Sequence, residues 1–218
     1  LFEENLNIIL SLNSMVSIIK KVKDADDFIS LTTITKGRNA FGITGKIATS
    51  ISEENSFAGA YALRCAHEAI RYTSEQYVTK NKDIADKWKI FISKGNGAAG
   101  TLNDDMPVAI LGKPYIGAPM SVCTDSLIPI GCFDTEIEAK NLQRYINTKF
   151  VRFMVAILKT SQNITQIVYE FVPMQNFTNG SDIDWNKSIS EIDVQLYEKY
   201  GLTKAEIDYI ESRIKPMD

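Results

Sequence analysis

The chain has 218 residues, 44% of them hydrophobic and 23% charged, with a formal net charge of −3. That length can bury a full core, as one large domain or two small ones, and the charged fraction excludes disordered and fibrous classes. A net negative charge is awkward for a nucleic-acid binder, but it is unevenly spread: residues 182–218 hold nine acids and five bases, the rest 18 acids and 19 bases. A nearly neutral body with an acidic tail can still present a basic face.

Three widely spaced cysteines (Cys65, Cys123, Cys132) fit reduced thiols better than a disulfide framework. No apolar run approaches the roughly 18 residues of a membrane span, and no signal-peptide pattern opens the chain. A soluble, cytoplasmic protein with no membrane partner is therefore expected.

Residues 1–24 carry Ile8, Ile9, Leu12, Met15, Val16 and Ile19 at helical spacing. Lys20, Lys21 and Lys23 follow at the end that suits cations, and read as a solvated helix end. Gly37, Gly42 and Gly45 punctuate 28–48 into short strands and turns, and 51–59 is a polar loop. Residues 61–72 fit either a helix, which their alanines favour, or a hairpin, and 74–88 read as a helix capped by Ser74. Residues 89–94 alternate as a strand, and 95–131 predict irregular β structure.

A single long helix is expected from about Glu136 to Leu158, with Leu142, Tyr145, Ile146, Phe150, Phe153, Met154 and Ile157 along its apolar stripe. Thr135 with Glu138, Ser188 with Glu191 and Thr203 with Glu206 are capping-box pairs, and Gly201 is a helix stop. The expected fold is mixed α/β (α+β): an irregular, partly antiparallel β region packed with a long amphipathic helix and a helical tail. Its segments are an N-terminal helix (1–24), an α/β body (25–177) and the tail (178–218).

Gly95-Asn-Gly-Ala-Ala-Gly100 matches the dinucleotide-loop spacing, but Asp104, Asp105 and Pro107 follow where a phosphate-binding helix should start. A loop approaching DNA or a neighbouring domain is the better reading. Asp134, Glu138 and Lys140 mimic a nuclease constellation, yet sit on a helix's first turn, where acids cap. His67, the only histidine, has neither a nucleophile elbow nor enough partners for zinc. Lys159-Thr-Ser-Gln-Asn-Ile-Thr165 is the most suggestive polar segment, because amides and hydroxyls bond phosphates and base edges and Lys159 adds charge.

Residues 131–218, with Gly-Cys-Phe-Asp-Thr-Glu-Ile-Glu-Ala-Lys, Lys-Thr-Ser-Gln-Asn-Ile-Thr, Phe-Val-Pro-Met-Gln-Asn-Phe and Gln-Leu-Tyr-Glu-Lys-Tyr-Gly-Leu-Thr, carry a family resemblance. They resemble the C-terminal target-recognition region of bacterial type II (type IIG-like) restriction-modification adenine-N6 DNA methyltransferases. The likeness thins before residue 74. Asn39-Ala-Phe-Gly42 resembles the family's polar-Pro-Phe-Gly turn without its proline.

The resemblance implies a sequence-specificity fragment that binds double-stranded DNA through Lys36, Arg38, Asn39, Lys94, Asn96, Lys159, Ser161, Gln162 and Asn163. The chain has no Pro-Pro, hence no Asn/Asp-Pro-Pro-Tyr catalytic tetrapeptide, and no Phe-x-Gly-x-Gly loop. The fragment is therefore expected to be non-catalytic and cofactor-free, with S-adenosylmethionine held by a catalytic domain elsewhere in a longer parent. Leu1 in place of methionine is read the same way. That methyltransferase domain, and a nuclease domain where present, are the expected partners. Two alternatives stay open: a docking domain of the same enzyme, and an independent nuclease.

Overall fold

The computed structural model describes residues 2–95, 102 and 106–217, with the backbone alone for 2–12 and 68. In chain order it contains helix α1 (Phe2–Lys23), the short α2 (Gly45–Ala48), and strands β1 (Ser52–Glu53), β2 (Tyr61–Arg64) and β3 (Ile70–Thr73). Next come α3 (Lys82–Ala85), β4 (Trp88–Ser93), β5 (Tyr115–Gly117), β6 (Ser121–Cys123) and β7 (Leu127–Phe133). Helices α4 (Glu136–Asn147), α5 (Lys149–Leu158), α6 (Ile189–Lys199) and α7 (Lys204–Arg213) complete the fold, which is α+β. No described helix is long and apolar enough to cross a membrane.

The strands form two sheets. One runs β1-β3-β2-β6, with β6 parallel to β2; the other is antiparallel, β5-β4-β7. The period-2 alternation of β4 makes the second sheet a wall between two cores. Ile90 and Ile92 join the larger core, while Phe91 joins the smaller with Phe41, Leu63 and Val122. Ile128 and Ile130 of β7 face the same side as Ile90, and Leu127 faces the other. Gly117 keeps β5 close: a Cβ there would lie 2.5 Å from the Phe91 ring.

The larger core takes residues from all three expected segments: Ile18 and Val22 of α1, Phe153 of α5, and Ile192, Leu196 and Ile210 of the tail. The three capping boxes form as read, and Gly201 adopts the left-handed φ of 58° that a helix stop requires.

The expected single helix over 136–158 is corrected to two. Thr148 is extended (φ −64°, ψ 150°), ending α4 and starting α5. Its Oγ1 donates to the Tyr145 carbonyl (2.7 Å) and accepts the Val151 N–H (3.2 Å). The break lets both helices lay apolar faces on one core. Thr148→Ala should cost about 1–2 kcal/mol through loss of this cap, read as a lower urea midpoint at constant slope. An unchanged midpoint would mean the hydroxyl is dispensable.

The helix expected over 74–88 is also corrected, to a 3-10 turn at Glu75–Tyr77 and the one-turn α3. Tertiary bonds interrupt it: Thr79 N–H bonds the Phe41 carbonyl, Asn81 Nδ2 the Ala40 carbonyl, and Asn81 turns left-handed. Ser74 makes no capping bond. Between 28 and 48, where short strands were expected, the backbone forms a 3-10 turn at Leu31–Ile34 and single bridges, Ser30 to Pro173 and Thr35 to Ile130.

Candidate nucleic-acid interface

The polar segments singled out in the sequence meet at one end of the β5-β4-β7 sheet. Lys94 N–H bonds the Ser126 carbonyl (2.8 Å) on one side of β7, and Lys36 N–H bonds the Pro129 carbonyl (3.0 Å) on the other. An antiparallel bridge, Gly95 to Asn163, and an Ile164 N–H to Lys94 carbonyl bond (2.7 Å) then draw residues 161–164 onto the end of β4. Farther along, Gln166 Nε2 donates to the Thr32 carbonyl (3.0 Å). There Arg38, Gly37, Gln166 and Ile167 line an open cleft of about 730 Å³.

Ser161, Gln162 and Asn163 are exposed, and Ser161 Oγ accepts the Asn163 N–H (3.3 Å) in a local turn. The Gln162 side chain makes no hydrogen bond among the described residues, which leaves its donor and acceptor for a ligand. Arg38 is exposed and only loosely paired with Asp125, at 3.8 Å. Asn39 is left-handed (φ 55°), and its Oδ1 is buried without a partner among the described residues. Asn96 lies outside the described residues.

Lys159 is corrected. It is 1% exposed, and its ammonium donates to the Ile110 carbonyl (2.9 Å) rather than facing solvent. Burial pulls its pKa down. Its place is at the C-terminus of α5, where a cation suits the helix dipole.

A second basic cleft, of about 340 Å³, opens between the two sheets and shares Gly95 with the strip just described. Arg64 at the end of β2, His67 in the hairpin turn and Lys113 before β5 line it, with Ser93 and Ser126. The Arg64 guanidinium stacks on the Tyr115 ring at 4.5 Å. Arg64 and Lys113 were missed in the sequence, although one signal was there. Tyr61 and Leu63 point into the core, so Arg64 belongs to the opposite face of β2. Burial raises the pKa of Cys65 in this wall, against the pull of Arg71, so its thiol stays protonated.

Part of the tail's acidity is answered by ion pairs, Asp182 with Lys199 and Glu191 with Lys187 inside it, and Glu211 with Lys149 of the body. The mock nuclease set is spent on structure, since Asp134 pairs with Lys87, Glu138 closes the capping box and Lys140 pairs with Glu136. Among the described residues no three His, Cys, Asp or Glu side chains gather as a metal site. The arrangement offers cations and amides for hydrogen bonding to anions and base edges.

Comparison of the chain with protein-family models, and with curated proteins, returns no match.

Proposed function

We propose that this chain reads DNA, as the target-recognition module of a site-specific adenine methyltransferase. The observation that carries this is the meeting of Lys36, Arg38, Lys94 and the free Gln162 amide at one sheet end, from segments up to 126 residues apart (36 to 162). Cations there neutralise phosphates and fix register, while a Gln amide gives a donor and an acceptor to a base edge. The resemblance of residues 131–218 supplies the parent's chemistry. Its catalytic domain would hold S-adenosylmethionine and receive the flipped adenine. The cleft lined by Arg64 and Lys113 does not suit that cofactor, since its sulfonium is a cation that both would repel.

Duplex binding, followed by fluorescence anisotropy across a salt series, tests the reading. Arg38→Gln and Lys36→Gln should each flatten the slope of log affinity against log salt by about one unit. Gln162→Ala should keep that slope and lose about 1–3 kcal/mol on the cognate site alone. If wild type and all three variants bind every duplex alike, the strip reads nothing and the proposal is wrong.

A further inference from the structure

The cleft between the sheets is lined from three separate parts of the chain, and among the described residues its cations have no carboxylate to answer. Arg64 ends β2, Lys113 precedes β5, and Ser93, Gly95 and Ser126 come from the facing ends of β4 and β7. Among the described residues, neither Arg64 nor Lys113 forms an ion pair or a side-chain hydrogen bond, and no Asp or Glu lines the cleft. Two cations sharing one cavity, with no acid among its described lining, suit an anion. The Arg64 guanidinium lies over the Tyr115 ring, a contact that spends none of its five N–H donors on a hydrogen bond.

The hairpin turn contributes Ala66 and His67 to the same wall, with His67 in the left-handed region (φ 55°, ψ 37°). Arg64, Lys113 and the Ser126 hydroxyl reach the cleft from three separate parts of the chain, which suits a tetrahedral oxyanion better than a planar carboxylate. Gly95 is both a wall of this cleft and the residue bridged to Asn163, so the cavity adjoins the strip assigned to DNA.

We infer that this cleft is a phosphate site, and that the phosphate it takes is a backbone phosphodiester of the DNA lying along the strip. The assignment rests on the DNA reading. Arg64 and Lys113 clamp the strand at a fixed distance from Gln162 and so set the register in which that amide meets bases.

The test combines duplex binding over a salt series with a nuclear magnetic resonance titration of the whole chain by inorganic phosphate. Arg64→Gln and Lys113→Gln should each flatten the salt slope by about one unit and weaken duplex binding about five- to tenfold at low salt. Arg64→Lys should recover the slope but only part of the affinity, because it keeps the charge and loses the fork and the stack. Inorganic phosphate should shift the His67 imidazole resonances saturably in wild type and not in Arg64→Gln. Saturable phosphate uptake that needs Arg64, with duplex slopes unchanged, overturns the backbone assignment in favour of a free anion. Flattening by Arg38→Gln but not by Arg64→Gln or Lys113→Gln sinks the cleft alone and leaves the DNA reading standing. A wild-type chain that binds no duplex at any salt overturns both.

Discussion

Phe153→Ala should destabilise the protein by about 3–5 kcal/mol, the range for emptying a packed aromatic site. Phe153 is fully buried on α5, where its ring meets Tyr209 of α7 edge-on at 5.8 Å. Its burial alone is worth roughly 1.5–3 kcal/mol, and the aromatic pair adds about 0.5–1.5. The residual cavity accounts for the rest, because α5 is held between α6, α7 and the 3-10 turn at Gln166–Tyr169 and cannot collapse inward. Urea unfolding at neutral pH checks this. A loss below about 1 kcal/mol would mean that α5 does not sit at the centre of the larger core.

Asp193 should make stability fall as pH rises from about 4 to 7. This α6 carboxyl is buried, and it accepts the first two N–H groups of α5, Lys149 to Oδ2 (3.0 Å) and Phe150 to Oδ1 (2.8 Å). Thr148 takes the third, from Val151, so side chains satisfy the start of that helix. Burial pushes the Asp193 pKa up to about 7; those two N–H bonds and the Arg152 charge pull it down by less. The unfolded carboxyl titrates near 3.9, so between the two values the folded chain holds a proton that the unfolded chain has released. Its contribution is complete below about pH 4 and is lost as pH climbs through 7, by on the order of 4 kcal/mol.

Asp193→Asn removes the titration and isolates it from other carboxylates. Those include Glu206, whose pKa is held down to about 2 although burial alone would raise it, by bonds from Lys21, Thr203 and Ser17. The amide offers one oxygen to two N–H groups, so the variant should be less stable than wild type at pH 4, with the gap closing toward pH 7. A gap that widens with pH would show that Asp193 works as an ionised helix cap.

What could be read from the sequence was what is local. The capping pairs Thr135 with Glu138, Ser188 with Glu191 and Thr203 with Glu206 lie three residues apart, and no distant contact is needed to complete them. The alternation of β4 is legible for the same reason, whereas over β2 and β3 the local alanines favour a helix and tertiary pairing makes a hairpin. The break at Thr148 is not, because Tyr145, Ile146, Phe150 and Phe153 face one core whether or not the helix is continuous. Lys159 was misread for a different reason. It buries its four-carbon stem and spends its ammonium on the Ile110 carbonyl, as Lys89 does on the carbonyls of Ile84, Ala85, Lys87 and Ala118.

Within the candidate site, Lys36, Arg38 and residues 161–163 stand out as polar turns. Arg64 and Lys113 do not, since parallel pairing of β2 with β6 and pairing of β5 with β4 bring them to the cleft from afar.

The clasp between the first helix and the last bears on how the chain is made. Lys21 bonds both Glu206 (2.7 Å) and the Gly201 carbonyl (2.8 Å), contacts that span 185 and 180 residues. Val108 pairs with the chain at Arg213 and Ile214 in the same way. During translation α1 therefore leaves the ribosome long before the surface that covers Ile18 and Val22 exists. Closure of such distant loops costs chain entropy before any contact repays it, and it sets a slow folding rate. The larger core seals only once α7 has been synthesised, so the nascent chain carries an open apolar flank while everything between α1 and α7 is made.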